Sequence, residues 1–172
     1  PVVFDSEWIR LHIENDSLEV RGTYWLYCRG RTDRELSLFY PFPRDSLLGE
    51  ARMVSVRACV GGGASAPMRV DNLPQVSGVR WLVPPCTGDT IEIEAVYRQA
   101  LKGEYARYIV TTTKAWDRPL RRARFEIHLP PKARPVELSF PFTRNERNGE
   151  AFYAFEATSF LPDRDIVVRW EY

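Results

Sequence analysis

Apolar and polar residues alternate with a period of two along most of this 172-residue chain, the pattern of strands that bury one face. Ile9, Leu11 and Ile13 alternate with Trp8, Arg10 and His12. Beyond Asn15-Asp16, Leu18, Val20, Gly22, Tyr24 and Leu26 alternate with Glu19, Arg21 and Thr23, which predicts a long opening hairpin. A hairpin pivoting on Asn15-Asp16 sets Trp8 opposite Thr23 and diagonal to Trp25. It also sets Arg10 opposite Arg21, a like-charge pair that a bulge would relieve. Further strands are expected over 35–42, 52–60, 68–70, 76–83, 91–98, 105–113, 122–129, 136–140, 151–158 and 165–172, with a short turn over 45–50. The runs 91–98 and 105–113 are separated by a short glycine-containing turn and read as a second hairpin, whereas Trp116 to Pro119 reads as a loop.

About ten to twelve strands at even spacing, with scarcely any helical periodicity, predict an all-β fold: an antiparallel two-sheet β-sandwich with little or no helix. The length predicts one domain, 1–172. Its expected core is Ile9, Leu11, Val20, Leu26, Leu38, Ile91, Ile93, Phe125, Ile127, Ile166 and Val168. The segments 35–44 and 137–144 echo each other, each a strand that runs into proline and phenylalanine. Duplication of a half-sandwich explains the echo, and so does a shared requirement at two strand exits.

Composition narrows the function classes. With 24 basic and 23 acidic residues the formal net charge is +1, so no global field concentrates nucleic acid or anionic lipid. The basic and aromatic run 114–124 reads as an outward strand face whose Arg122 and Arg124 pair with glutamates. The longest apolar stretch, 81–86, is six residues with two prolines and cannot span a bilayer. The chain starts at Pro1, consistent with removal of a leader. Cys28, Cys59 and Cys86 permit three thiols, or one bridge for which Cys59–Cys86 is the leading pair.

No catalytic residue is assigned and no enzyme is expected. The two histidines, His12 and His128, fall on polar strand faces, and no nucleophile motif accompanies them. Glu92 and Glu94 share a face with Arg98 and read as solvent-side charge rather than a hydrolytic pair. Asp163-Arg164-Asp165 has calcium-loop spacing, but the intervening arginine opposes a cation. No metal site and no cofactor are expected. Gly61-Gly62-Gly63 lacks the lysine and hydroxyl residue of a phosphate loop. Asn15-Asp16-Ser17 matches a glycosylation acceptor, a pattern frequent by chance.

The candidate binding residues are aromatic. Trp8, Trp25 and Tyr27 occupy strand positions otherwise given to Arg, Glu and Thr, and Trp116 lies in a loop of mixed aromatic and charged character. Rings on a polar face either lie under another segment of the chain or form a platform for a carbohydrate or protein partner.

Leu18 to Tyr27, then Leu36 to Pro43 with its Tyr-Pro-Phe-Pro exit, resemble the opening of exported bacterial β-sandwich domains of unknown function. Tyr108 to Thr113 with Trp116, and Phe160-Leu161-Pro162-Asp163, are similar to their later half. The resemblance implies an envelope or periplasmic location and carries over no functional residues. With no catalytic motif in the chain, the expectation is a non-catalytic binding or structural module, periplasmic or extracellular, such as the ectodomain of an envelope protein. A carbohydrate-binding module, or an accessory domain of a larger hydrolase, is the alternative.

Overall fold

The structure is a computed structural model describing residues 2–73 and 75–172. It is all-β, and among the described residues it holds fourteen strands and one short 3₁₀ turn. The predicted opening hairpin is present as β1 (Val2–Glu14) and β2 (Ser17–Cys28), with Trp8 opposite Thr23 and Arg10 opposite Arg21. The chain continues through β3 (Leu36–Pro41), β4 (Leu48–Val60), β5 (Ala66–Pro67), β6 (Arg69–Asn72), β7 (Gly78–Val83), β8 (Thr90–Leu101) and β9 (Tyr105–Tyr108). The 3₁₀ turn Thr111–Trp116 follows, then β10 (Leu120–His128), β11 (Arg134–Leu138), β12 (Thr143–Arg147), β13 (Glu150–Phe160) and β14 (Ile166–Glu171).

Eight strands form one sheet in the order β12-β13-β10-β1-β2-β8-β4-β5. Two three-stranded sheets, β3-β7-β6 and β11-β14-β9, complete the fold. This corrects the two-sheet antiparallel sandwich in two respects. The covering layer is split into two small sheets, and β1 pairs with β10 in parallel. Alternation reports which residues face inward but carries no information on strand direction or partner. The predicted hairpin of residues 91–98 with 105–113 does not form. β8 instead fills the slot between β2 and β4, and β9 pairs with β14. Residues 111–116 are helical rather than extended, which makes Trp116 part of the turn.

Ten of the eleven expected core residues are buried, and Leu38 packs half-buried against them. Ile9, Leu11, Val20, Ile91, Ile93, Phe125 and Ile127 line the inner face of the large sheet, against Val79, Trp81 and Val83 of β7 and Ile166, Val168 and Trp170 of β14. The two echoing segments do not occupy equivalent places: 35–44 contains all of β3, whereas 137–144 holds only the last two residues of β11 and then enters β12 of the large sheet.

Two local features set the site described next. The register of β1 on β2 slips between Phe4 and Ser6, so Asp5 is the extra residue of a bulge. Inward positions are even-numbered before it (Val2, Phe4) and odd-numbered after it (Glu7, Ile9, Leu11). At Gly22 a Cβ would collide with the Tyr24 ring. The missing side chain lets that tyrosine lie along the sheet.

Candidate functional site

A cavity of about 550 Å³ opens between the large sheet, β3 and the 3₁₀ turn. Its floor is Phe4 and Glu7 of β1 with Tyr24 and Leu26 of β2. Leu38, Tyr40 and Trp81 form one wall, and Tyr108, Thr113 and Trp116 the other. Phe39, Thr112 and Ala115 are exposed and mark the mouth. The lining is apolar and aromatic with a few convergent polar groups, the usual constitution of a small-molecule site.

Those polar groups are concentrated at the base. The Tyr24 hydroxyl lies 2.9 Å from that of Tyr40 and 2.8 Å from that of Tyr108, joining β2, β3 and β9 through one oxygen. Burial pushes all three phenols well above their usual range, so they stay neutral. Tyr40 stacks on Trp81 at 4.5 Å between centroids, and Phe4 packs against Trp116 at 5.8 Å. Glu7, directly opposite Tyr24 across the strand pair, is 4% exposed. Its Oε1 is buried with no hydrogen-bond partner in the protein. Desolvation raises its pKa to about 8, since burial disfavours the charged form.

The second wall is anchored by Asp165. Burial raises its pKa, but Arg107 and Thr111 outweigh that and hold it below the usual carboxylate value. Arg107 donates to it at 2.7 Å, the Val110 and Thr111 amides at 3.2 Å each, and the Thr111 hydroxyl at 2.9 Å. One carboxylate thereby caps the start of the turn that carries Trp116. Within 163–165, Arg164 donates to Asp163 at 3.1 Å, while Arg107 holds Asp165.

The four aromatic candidates are not brought together. Trp116 lines the cavity. Trp8 and Trp25 lie on the opposite, outer face of the large sheet, where they border a cleft of about 360 Å³ with Asp5, Arg121, Arg122 and Arg124. Trp8 is half-buried between the guanidiniums of Arg10 and Arg124, 4.5 and 5.1 Å from its centroid. Trp25 is half-buried, and its indole donates to Glu92 at 2.8 Å. Tyr27 is 44% exposed and outside that cleft. Of the two arginines expected to pair with outward glutamates, Arg122 meets Glu156 at 2.7 Å and Arg124 meets Glu126 at 2.8 Å. Farther along this face His12 stacks on His128 at 4.4 Å, and His128 on Phe152 at 5.4 Å.

The Cys59–Cys86 pairing is overturned, for Cys86 is bridged to Cys28 and Cys59 is a free, half-buried thiol. The large sheet brings the end of β2 beside the loop after β7, and Thr32 and Cys86 secure that contact through their backbones at 2.8 Å. Cys59 sits across β8 at Glu92, out of line with that loop.

Sequence reasoning passed over Glu7, Tyr24, Tyr40 and Tyr108. Glu7 carries a signal, because it shares the parity of Ile9, Leu11 and Ile13, and a carboxylate on a core face is rare enough to mark a site. No sequence signal joins Tyr24 to Tyr108, which meet only because β9 crosses to the second small sheet.

No family model and no curated protein matches this chain. Solved structures do share its fold. A candidate nutrient binding protein of Legionella pneumophila superposes with a TM-score of 0.67 at 15% identity, over 98% of this chain and 66% of that one. An M1 zinc metallopeptidase of Deinococcus radiodurans superposes with a TM-score of 0.56 at 15% identity, over 98% of this chain and 42% of the peptidase. The chain thus spans less than two thirds of the length of either relative, and what is shared is an all-β fold that occurs within larger proteins.

Proposed function

We propose that this chain is a non-catalytic binding module of an exported bacterial protein, and that its ligand occupies the cavity above Glu7. The observation that carries this reading is a carboxyl oxygen, buried and unpartnered, at the base of an open cavity lined with aromatic rings. Such a group is costly to the fold unless something else satisfies it. The Cys28–Cys86 bridge supports an oxidising compartment, periplasmic or extracellular. A non-catalytic role is supported by the described residues that line the cavity. They offer one carboxyl, Glu7, with tyrosines, threonines and a serine, but no histidine, lysine or cysteine for Glu7 to work with as base or activated nucleophile.

Titration with an apolar fluorescent probe tests the site, followed by the emission of the probe and of the cavity tryptophans Trp81 and Trp116. Wild-type protein is expected to bind, and Ala115→Trp, which fills the exposed mouth, is expected to lose binding without losing stability. Undiminished binding by that variant would place the probe elsewhere and end the proposal.

A second site, for a protein or carbohydrate partner, is favoured by the outer cleft. Trp8 and Trp25 are only half-buried there beside three arginines. Trp25→Ala is expected to abolish glycan-array binding while leaving the cavity unaffected. The fold likeness also accommodates an accessory domain of a larger hydrolase. The coding sequence on both sides of these residues decides between that and a free-standing module.

A further inference from the structure

The chemistry of the cavity defines the class of ligand it takes. Glu7 carries the one carboxyl among the described residues lining it, and no lysine, arginine or histidine is among them. The other walls include six aromatic residues: Phe4, Tyr24, Tyr40, Trp81, Tyr108 and Trp116. Aromatic faces carry negative electrostatic potential, and a ring of them attracts a cation once water is excluded. A carboxyl group set among such faces adds a full negative charge when ionised. An anionic ligand finds nothing to pair with here. A neutral apolar ligand fills the volume but leaves the carboxyl oxygen unpartnered.

We propose that the cavity binds a small organic cation, an alkyl- or aryl-substituted ammonium whose charge rests against the Glu7 carboxylate inside the aromatic cage, with uptake of the cation expelling the Glu7 proton to solvent. The proposal rests on the reading of this cavity as the binding site. Glu7 is neutral at neutral pH, because burial alone raises its pKa to about 8. The arriving cation supplies the counter-charge that ionisation requires.

The groups facing Glu7 leave this exchange to Glu7 itself. Tyr24, Tyr40 and Tyr108 face it from β2, β3 and β9, and burial keeps their phenols neutral. On β1 the neighbouring Asp5 is engaged by Arg121 at 2.8 Å. From β10, Ala123 lies opposite Glu7, while Arg122 and Arg124 pair with Glu156 and Glu126. Lys114 of the 3₁₀ turn is exposed and outside the lining.

The probes are benzyltrimethylammonium, whose charge does not titrate, and its neutral isostere neopentylbenzene. Calorimetry in two buffers of different ionisation enthalpy, near pH 6 and near pH 9, reads affinity and protons released together. The cation is expected to bind at least about tenfold tighter than the isostere near pH 9. Near pH 6 it is expected to bind more weakly and to release close to one proton per ligand. Glu7→Gln is expected to bring the two probes to similar affinity and abolish proton release. Should that variant fail to fold, the wild-type proton count stands as the test by itself. The ammonium class is overturned if the isostere binds as well as the cation, or if the cation binds without releasing a proton near pH 6. Failure of both probes to bind overturns the reading of the cavity as well.

Discussion

Glu7 sits where a core side chain belongs, and its ionisation makes the fold sensitive to pH. In the unfolded chain it titrates near its ordinary value of 4.5, and in the folded chain near 8. Between these values the unfolded state has lost a proton that the native state retains. Stability therefore falls as pH rises through this window, by up to about 1.4 kcal/mol per pH unit, and levels off above it. Glu7→Gln removes the dependence without changing the shape. Chemical denaturation is expected to find variant and wild type alike near pH 4 and the variant more stable by several kcal/mol near pH 8. Equal stabilities at the higher pH would show that Glu7 is hydrated rather than buried. The residue's inward direction is legible from the parity it shares with Ile9 and Leu11. Its neighbours are not, since the phase of β1 changes at Asp5 and a bulge leaves no mark in an alternating pattern. Glu126 misleads in the opposite sense. It lies on the outer face as its alternation says, yet is fully buried there, with Arg124 at 2.8 Å, His128 at 3.4 Å and Arg147 at 3.5 Å around it.

Among the elements, the 3₁₀ turn is held at its start by one side chain, Asp165. Two backbone amides, a hydroxyl and a guanidinium converge on Asp165, so Asp165→Ala leaves each without its acceptor and Arg107 without its charge partner. A loss of about 3 kcal/mol is expected, with faster hydrogen exchange at Thr111 and Thr113 and weaker binding in the cavity that Trp116 walls. Unchanged exchange at those amides would mean that packing of Phe4 on Trp116 holds the turn unaided. Alternation located nearly all the strands because each long strand has one dry and one wet face. It missed β12, whose five residues are all exposed and show no contrast to read. It also joined β8 to residues 105–113 because those runs are adjacent in sequence. The buried tyrosines of β9 instead belong to a sheet whose centre, β14, comes near the end of the chain.

For the molecule as a whole, the Cys28–Cys86 bridge ties the large sheet to the loop leaving the β3-β7-β6 sheet across 58 positions. A loop of that length is worth about 4 kcal/mol when closed, and the double change Cys28→Ser, Cys86→Ser is expected to lose a comparable amount in denaturant titrations. Thiol counting checks the pairing independently. One equivalent of an aromatic disulfide reagent should react with Cys59 in unreduced protein and three after reduction in denaturant. Three equivalents without reductant would mean the bridge is absent. The cysteines show how far sequence reaches at this scale. Their number permitted one bridge, but the choice of partner depended on which loop the β2 terminus meets, and that follows from sheet order rather than from spacing.

β1 is an interior strand of the eight-stranded sheet, yet its two neighbours form on very different schedules. β2 follows after a two-residue turn, whereas the parallel partner supplies Arg122 opposite Ser6. A chain emerging from a ribosome or an export channel therefore carries one complete edge of the β1–β2 hairpin bare until β10 arrives. Beyond the bulge at Asp5 that edge runs on to Glu14, long enough to pair with other chains. Delayed closure across so much intervening sequence also slows refolding. Until β10 pairs with it, that edge is open to other chains, an exposure that the finished sheet no longer displays.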